Sequence, residues 1–115
     1  MANTFKQISK AGVTSADVIY TVASSTTTVV LGLIIGNTQS SDITVTLTIE
    51  TDTANRSGNN DEANQNVELL TSTTIPANSS LEVMQGNKIV LETTDVVKLT
   101  ASAAADISIS VMEIT

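Results

Sequence analysis

The residues of this chain best able to do chemistry are carboxylates in three close pairs: Asp61 with Glu62, Glu92 with Asp95, and Glu50 with Asp52. Such a pair performs general acid–base work when one member is desolvated and the two pKa values separate. All three pairs fall at strand ends or in loops, where solvated carboxylates are ordinary. The chain has no histidine and no cysteine. Imidazole bases, His-based triads, thiol nucleophiles and thiolate metal sites are therefore out of reach. Lysines and Tyr20 complete the acid–base inventory, and there is no glycine-rich phosphate loop. The expectation is a chain that is not an enzyme and carries no cofactor.

Asp52, Asp61 and Glu62 bracket an Asn-rich stretch, and carboxylates with amide carbonyls suit a hard cation such as Ca²⁺. Their spacing matches no EF-hand. A plain surface loop is the expectation, with these three as the residues to watch for metal. Asn55-Arg56-Ser57 and Asn78-Ser79-Ser80 fit the glycosylation sequon, which matters only in a secretory setting. Met1–Lys10 has no apolar signal-peptide core, which argues against that setting.

The elements that must position these residues are strands. Asp42-Ile43-Thr44-Val45-Thr46-Leu47-Thr48-Ile49 alternates without a break, so Ile43, Val45, Leu47 and Ile49 share one face and the threonines the other. Ile107-Ser108-Ile109-Ser110-Val111 repeats the rhythm. Rows such as Thr44/Thr46/Thr48 and Ser108/Ser110 are free to meet solvent or a partner subunit. Further strands are expected at Thr4–Ser9, Val18–Val22, Thr27–Asn37, Val67–Thr71, Leu81–Met84, Lys88–Leu91, Val96–Ala101 and Asp106–Ile114. Thr27–Asn37 is apolar on both faces, which places it centrally, and Gly32 and Gly36 suggest a bulge or a close backbone approach. Ala11–Asp17 reads as a turn, and Ala101–Ala105 as a candidate for a brief helical turn. Apolar period two with turn signals at short intervals predicts an all-β protein, an antiparallel β-sandwich or jelly-roll-like barrel.

At 115 residues the chain is expected to be one domain, 1–115. Residues 1–12 either pack on that domain or reach to a neighbour as an N-terminal arm, and 52–66 form a long Asn-rich loop of a length that is commonly functional. Candidates for an interface follow: Phe5 and Ile8 in the N-terminal segment, and Asn55, Arg56, Asn59 and Asn60 in the loop. An arm or edge strand adds readily to a neighbour's sheet.

Net charge is −7, from five Lys and Arg against twelve Asp and Glu. Phosphate neutralisation needs a basic patch, so nucleic acid is not an expected partner, and anionic membranes are disfavoured for the same reason. The longest apolar run, Val29–Ile35, is too short to span a bilayer. Phe5 and Tyr20 are the only aromatic residues, too few for a stacking platform. A soluble protein acting through shape, edges and backbone remains.

Several segments resemble a family of small structural proteins from tailed bacteriophages, especially those of marine and cyanobacterial hosts. They are Phe5-Lys6-Gln7-Ile8, Val18-Ile19-Tyr20-Thr21-Val22, Val29-Val30-Leu31-Gly32-Leu33 with Gly36-Asn37-Thr38, Ile75-Pro76-Ala77-Asn78-Ser79-Ser80-Leu81, Lys88–Asp95 and Glu113-Ile114-Thr115. The resemblance covers almost the whole chain apart from the Asn-rich loop. It implies a β-sandwich virion component without enzyme activity. A capsid decoration or cement protein on the head is the expected form, with a tail, neck or fibre component as the alternative. Partners would then be copies of the chain, a trimer suiting a symmetric lattice, and other virion proteins such as the major capsid protein. A carbohydrate- or calcium-binding sandwich resting on the Asp52–Glu62 loop is the rival of another class.

Overall fold

The computed structural model describes residues 2–51, 64–84 and 86–115. Nine strands follow in chain order: β1 (Asn3–Val13), β2 (Asp17–Thr21), β3 (Thr27–Asn37), β4 (Ile43–Thr51), β5 (Gln65–Ile75), β6 (Ser80–Glu82), β7 (Ile89–Leu91), β8 (Val96–Ala101) and β9 (Ala105–Ile114). They make two antiparallel sheets. Sheet 1 has the order β1-β9-β3-β6, with β7 also paired to β3, and sheet 2 the order β2-β8-β4-β5. The hydrogen-bonded pairs are nested: β1 with β9, β2 with β8, β3 with β6 and β7, β4 with β5. A ribbon doubled on itself and wrapped this way is a jelly roll, two sheets enclosing one core.

Alternation decides what fills that core. Ile43, Val45, Leu47 and Ile49 of β4 are buried, as are Ile107, Ile109 and Val111 of β9. From β3 come Val30, Leu33 and Ile35, and from β8 come Val97, Leu99 and Ala101. Full burial of a Leu or Ile side chain contributes about 1.5–3 kcal/mol, so these four strands supply most of the apolar driving force. β3 lies between β9 and the β6/β7 edge, the central place its two apolar faces imply. Its register against β9 slips between Val30 and Gly32, a bulge at the first of its glycines.

Three segments differ from the expectations. The strand expected at Thr4–Ser9 runs on to Val13, and the turn expected from Ala11 is instead a bulge between Lys10 and Val13. Gly12 takes the left-handed conformation at φ 68°, and its N–H donates to Asp106 Oδ1 at 3.1 Å. That twist delivers Val13 into the core. β5 begins at Gln65 and extends to Ile75, because the Ile43–Val45 end of β4 needs a partner and Thr73, Thr74 and Ile75 supply it. Ala101–Ala105 forms no helical turn: Ala101 and Ala105 are buried strand ends, and Ser102 bridges to Thr44 through both its backbone N–H and its Oγ, each at 2.9 Å.

Candidate assembly face

One end of the sandwich gathers polar side chains from four strands, three of them titratable. The Tyr20 hydroxyl of β2 donates to Glu113 Oε2 of β9 at 2.5 Å and shares a 2.7 Å hydrogen bond with Thr28 Oγ1 of β3. Lys6 Nζ of β1 reaches Glu113 Oε1 at 3.0 Å. Burial, then the hydrogen bond to Glu113, pushes the Tyr20 hydroxyl up to about 12. The same hydrogen bond, with help from Lys6, holds the Glu113 carboxyl below its ordinary value. A general acid or base needs a pKa near the working pH. Here both groups are driven away from neutrality, Tyr20 staying protonated and Glu113 ionised. The cluster is a clamp between the sheets.

The opposite end is tied by a neutral amide, with the Asp42 carboxylate beside it accepting the Ala77 N–H at 3.0 Å. Asn37 is buried at the end of β3. Its Nδ2 donates to the carbonyls of Ser41, Ile75 and Pro76 at 2.9, 3.0 and 3.1 Å, and its Oδ1 accepts the Gln39 N–H at 2.8 Å. One side chain thus joins the β3–β4 and β5–β6 connections.

The two outward faces between these ends are unlike. On sheet 2 the outward residues are Thr44, Thr46, Thr48 and Glu50 of β4, with Lys98 and Thr100 of β8 and Glu68 of β5 in register. Lys98 pairs with Glu50 at 2.7 Å, and Thr71 donates to Glu68 at 2.6 Å. This face is wettable and charged along β4, with Val18 of β2 exposed beside Lys98. On sheet 1 the register lines up Phe5 of β1, Met112 of β9, Val29 of β3 and Val90 of β7 in one row across the sheet. Phe5 is 72% exposed and Val90 62%. Further along, Ile34 is 47% exposed beside Ser108. Among the described residues, Glu82 and Asp106 are the charged ones whose strand register puts them on this face, one on the β6 edge and one at the start of β9. Beside Asp106 lies a shallow groove of about 480 Å³, lined by Ser9, Ala11, Ile34, Gly36, Asp106 and Ser108 among others.

Of the residues expected at an interface, Phe5 stands out from the face of sheet 1, whereas Ile8 pairs with buried Ile109 and packs against the core. The segment considered as an arm is paired along β9 of its own chain from Asn3 to Val13. Asn55, Arg56, Asn59 and Asn60, and the metal candidates Asp52, Asp61 and Glu62, lie outside the described residues. Gln65 and Asn66, assigned to the long loop, open β5 opposite Thr51 and Glu50. Among the described residues, no group of three or more carboxylates is placed to hold a metal ion. Met112, Val29, Ile34 and Val90 were not singled out from the sequence. The signal for two of them was there, in a strand apolar on both sides.

No family model matches the chain, and no curated protein sequence matches it. Similar solved structures include a chain from Bacillus endospore appendages, a family of disulfide-linked pili, at 16% identity and a TM-score of 0.49, covering 99% of this chain and 87% of that one. A chain from infectious bursal disease virus Gx strain is similar at 11% identity and a TM-score of 0.47, over 98% of this chain and 37% of that one. A chain of the T13 IBDV viral particle follows at 8% identity and a TM-score of 0.45, over 96% and 35%. This chain spans little more than a third of either viral chain. Likeness at this level carries no argument about function, which has to come from the chain's own surfaces.

Proposed function

We propose that this chain is a non-enzymatic structural subunit of a tailed-phage virion, a coat or decoration protein of the head. It works by laying the outer face of sheet 1 against a neighbour in the particle. One observation carries the reading: β3 is apolar on both faces, and only its inner face is covered. On the other side Val29 and Leu31 are half-buried, Val29 in one row with Phe5, Met112 and Val90, and Ile34 is exposed beyond the row of Gln7, Ser110 and Gly32. A row of exposed apolar side chains rimmed by polar residues marks an interaction site. The resemblance of Phe5–Ile8, Ile75–Leu81 and Lys88–Asp95 to phage structural proteins supports the virion, and the pairing of β1 along its own domain favours a compact head protein over one that extends arms.

The test uses dissociated virions with heads separated from tails. The chain is expected with the heads; recovery with tails overturns the head assignment in favour of the tail or neck reading. Ile34→Asp is expected to lower incorporation at least about tenfold, while Thr100→Asp on the outer face of sheet 2 incorporates normally. Equal losses from the two variants overturn the role of this face.

A further inference from the structure

We infer that the neighbour on the sheet 1 face is a different protein with a basic surface, and that an arginine of that surface seats over Gly36, between Asp106 and Glu82. The inference rests on the assembly reading above and names the partner's chemistry.

Strand register builds the seat. Glu82 of β6 pairs with Ile34 of β3, and Asp106 of β9 pairs with Gly36, so the two carboxylates stand diagonally on either side of β3. Two strand spacings across and two residues along set their Cα atoms about 12 Å apart. Between them the surface dips. Gly36 has no side chain, and a Cβ placed there would meet nothing closer than the Asp106 carbonyl at 3.9 Å. Ile34 walls the dip on one side, with Ser108 and Ser9 beyond it in register. This is the floor of the apolar groove beside Asp106.

Charge decides what fits. Glu82 and Asp106 are exposed, and neither forms an ion pair among the described residues. Asp106 Oδ1 accepts the Gly12 N–H at 3.1 Å, a neutral donor. A partner that covers the face strips water from both carboxylates, and a buried carboxylate has to meet a cation. A neutral or acidic surface would strand the two together. Arginine satisfies groove and charge at once: its aliphatic stem lies along Ile34, and its planar guanidinium offers donors on several edges, so Asp106 and Glu82 take it from opposite sides. A lysine ammonium is a point charge on a flexible stem and lacks that fork.

A second copy is ill equipped to supply the cation. Lys6, Lys10 and Lys98, three of the chain's five basic residues, already serve Glu113, Asp17 and Glu50 of their own chain. Each copy also brings twelve carboxylates with it. Sheet 2 has no comparable seat, since its Glu50 holds Lys98 at 2.7 Å and its Glu68 accepts the Thr71 hydroxyl at 2.6 Å.

The test titrates the isotope-labelled full chain, read by its amide NMR shifts, with blocked peptides Ser-Ala-Leu-Xaa-Leu-Ala-Ser in which Xaa is Arg, Gln or Glu. Shifts are expected to centre on Ile34, Gly36 and Asp106, with the arginine peptide bound at least about tenfold more tightly than the glutamate one and weakened by salt. The double variant Glu82→Gln/Asp106→Asn is expected to lose that preference, while its amide oxygen still accepts the Gly12 N–H. Glu50→Gln/Glu68→Gln removes as much charge from sheet 2 and is expected to keep it. Gly36→Val fills the seat, and with an ordinary φ and open space at Gly36 it keeps the fold. Arginine and glutamine peptides bound alike, equal losses from the two double variants, or no shifts at about 5 mM peptide overturn the seat. A chain that dimerises by itself, and less so in Glu82→Gln/Asp106→Asn, puts a second copy on the face and overturns the basic partner. Rebinding to heads stripped of the chain separates this inference from the reading beneath it. Rebinding that needs Ile34 but ignores both salt and Glu82→Gln/Asp106→Asn leaves the structural role standing and removes the basic partner. A chain that binds the arginine peptide yet is absent from purified virions removes that role and not the seat.

Discussion

The two ends of the sandwich solve the same problem with opposite chemistry. At each end the apolar core runs out, and a side chain must tie the sheets or their connections together without leaving a buried polar group unsatisfied. Asn37 does so with a neutral amide spread over four backbone groups. Tyr20 does so through an ionised partner, Glu113, itself paired to Lys6. Both ends sit on the β3–β9 pair, Asn37 opposite Ala105 and Thr28 opposite Glu113. The difference has a consequence for the exposed face. Lys6, Thr28 and Glu113 are each the chain neighbour of a residue in the apolar row, namely Phe5, Val29 and Met112. The backbone that presents the row is thus pinned by the end that titrates, while the groove end lies nearer the neutral one.

The largest effect expected from breaking this contrast is at Asn37. Asn37→Ala leaves three carbonyls and the Gln39 N–H without this partner, the Ile75 carbonyl in a buried place, at a cost of about 2–4 kcal/mol. Urea unfolding should show a lower midpoint with an unchanged m-value, and the same loss at pH 5, 7 and about 9 because no titrating group is involved. A loss that varies with pH would mean the two ends are coupled.

Tyr20→Phe comes next, at about 1–2 kcal/mol, because Thr28 and Glu113 lose one partner but Glu113 keeps Lys6. Its pH signature is the sharper test. The folded Tyr20 hydroxyl titrates at about 12 against 10.0 unfolded. Its contribution is therefore complete below pH 10 and lost as pH rises from 10 to about 12. Glu113 runs the other way: its folded value is lowered from 4.5, so its contribution is present above pH 4.5 and lost as pH falls below it. Tyr20→Phe should remove the alkaline loss, and Glu113→Gln the acid one, when each variant's stability is subtracted from that of the parent chain.

How much of this was legible follows from where each signal lives. Ile43, Val45, Leu47 and Ile49 announce β4 because one face of an isolated strand is enough to show the period. β1 was readable only to Ser9, since Asn3–Lys10 exposes most of its side chains on both faces and leaves little apolar pattern to find. Gly12 carries the same turn signal in a bulge as in a loop. Tyr20 and Glu113 are 93 residues apart, and no spacing rule joins them; only the nesting of first strands with last brings them together. Asn37 reads only as the polar end of its strand, because Ile75 and Pro76, two of its four partners, come from another connection. The double apolar face of β3 was visible and correctly placed the strand, but whether its second face is covered depends on what packs there. That is a property of the fold.

The smallest expected effect is at Lys6. Its side chain is 53% exposed, and an exposed ion pair contributes about 0–1 kcal/mol after side-chain ordering and screening. Lys6→Ala should therefore fall within about 0.5 kcal/mol of the parent chain and vanish into it at high salt. Its acid limb should nonetheless move up toward pH 4.5, because Lys6 is the second cause, after Tyr20, of the lowered Glu113 value. Lys6 also lies on the inward side of an edge strand, where a charge discourages another strand from adding on. Lys6→Val keeps the strand and removes that charge. If it stays as soluble as Lys6→Ala, the lysine serves only the Tyr20 end; if light scattering shows irreversible growth of large aggregates, it also guards the β1 edge.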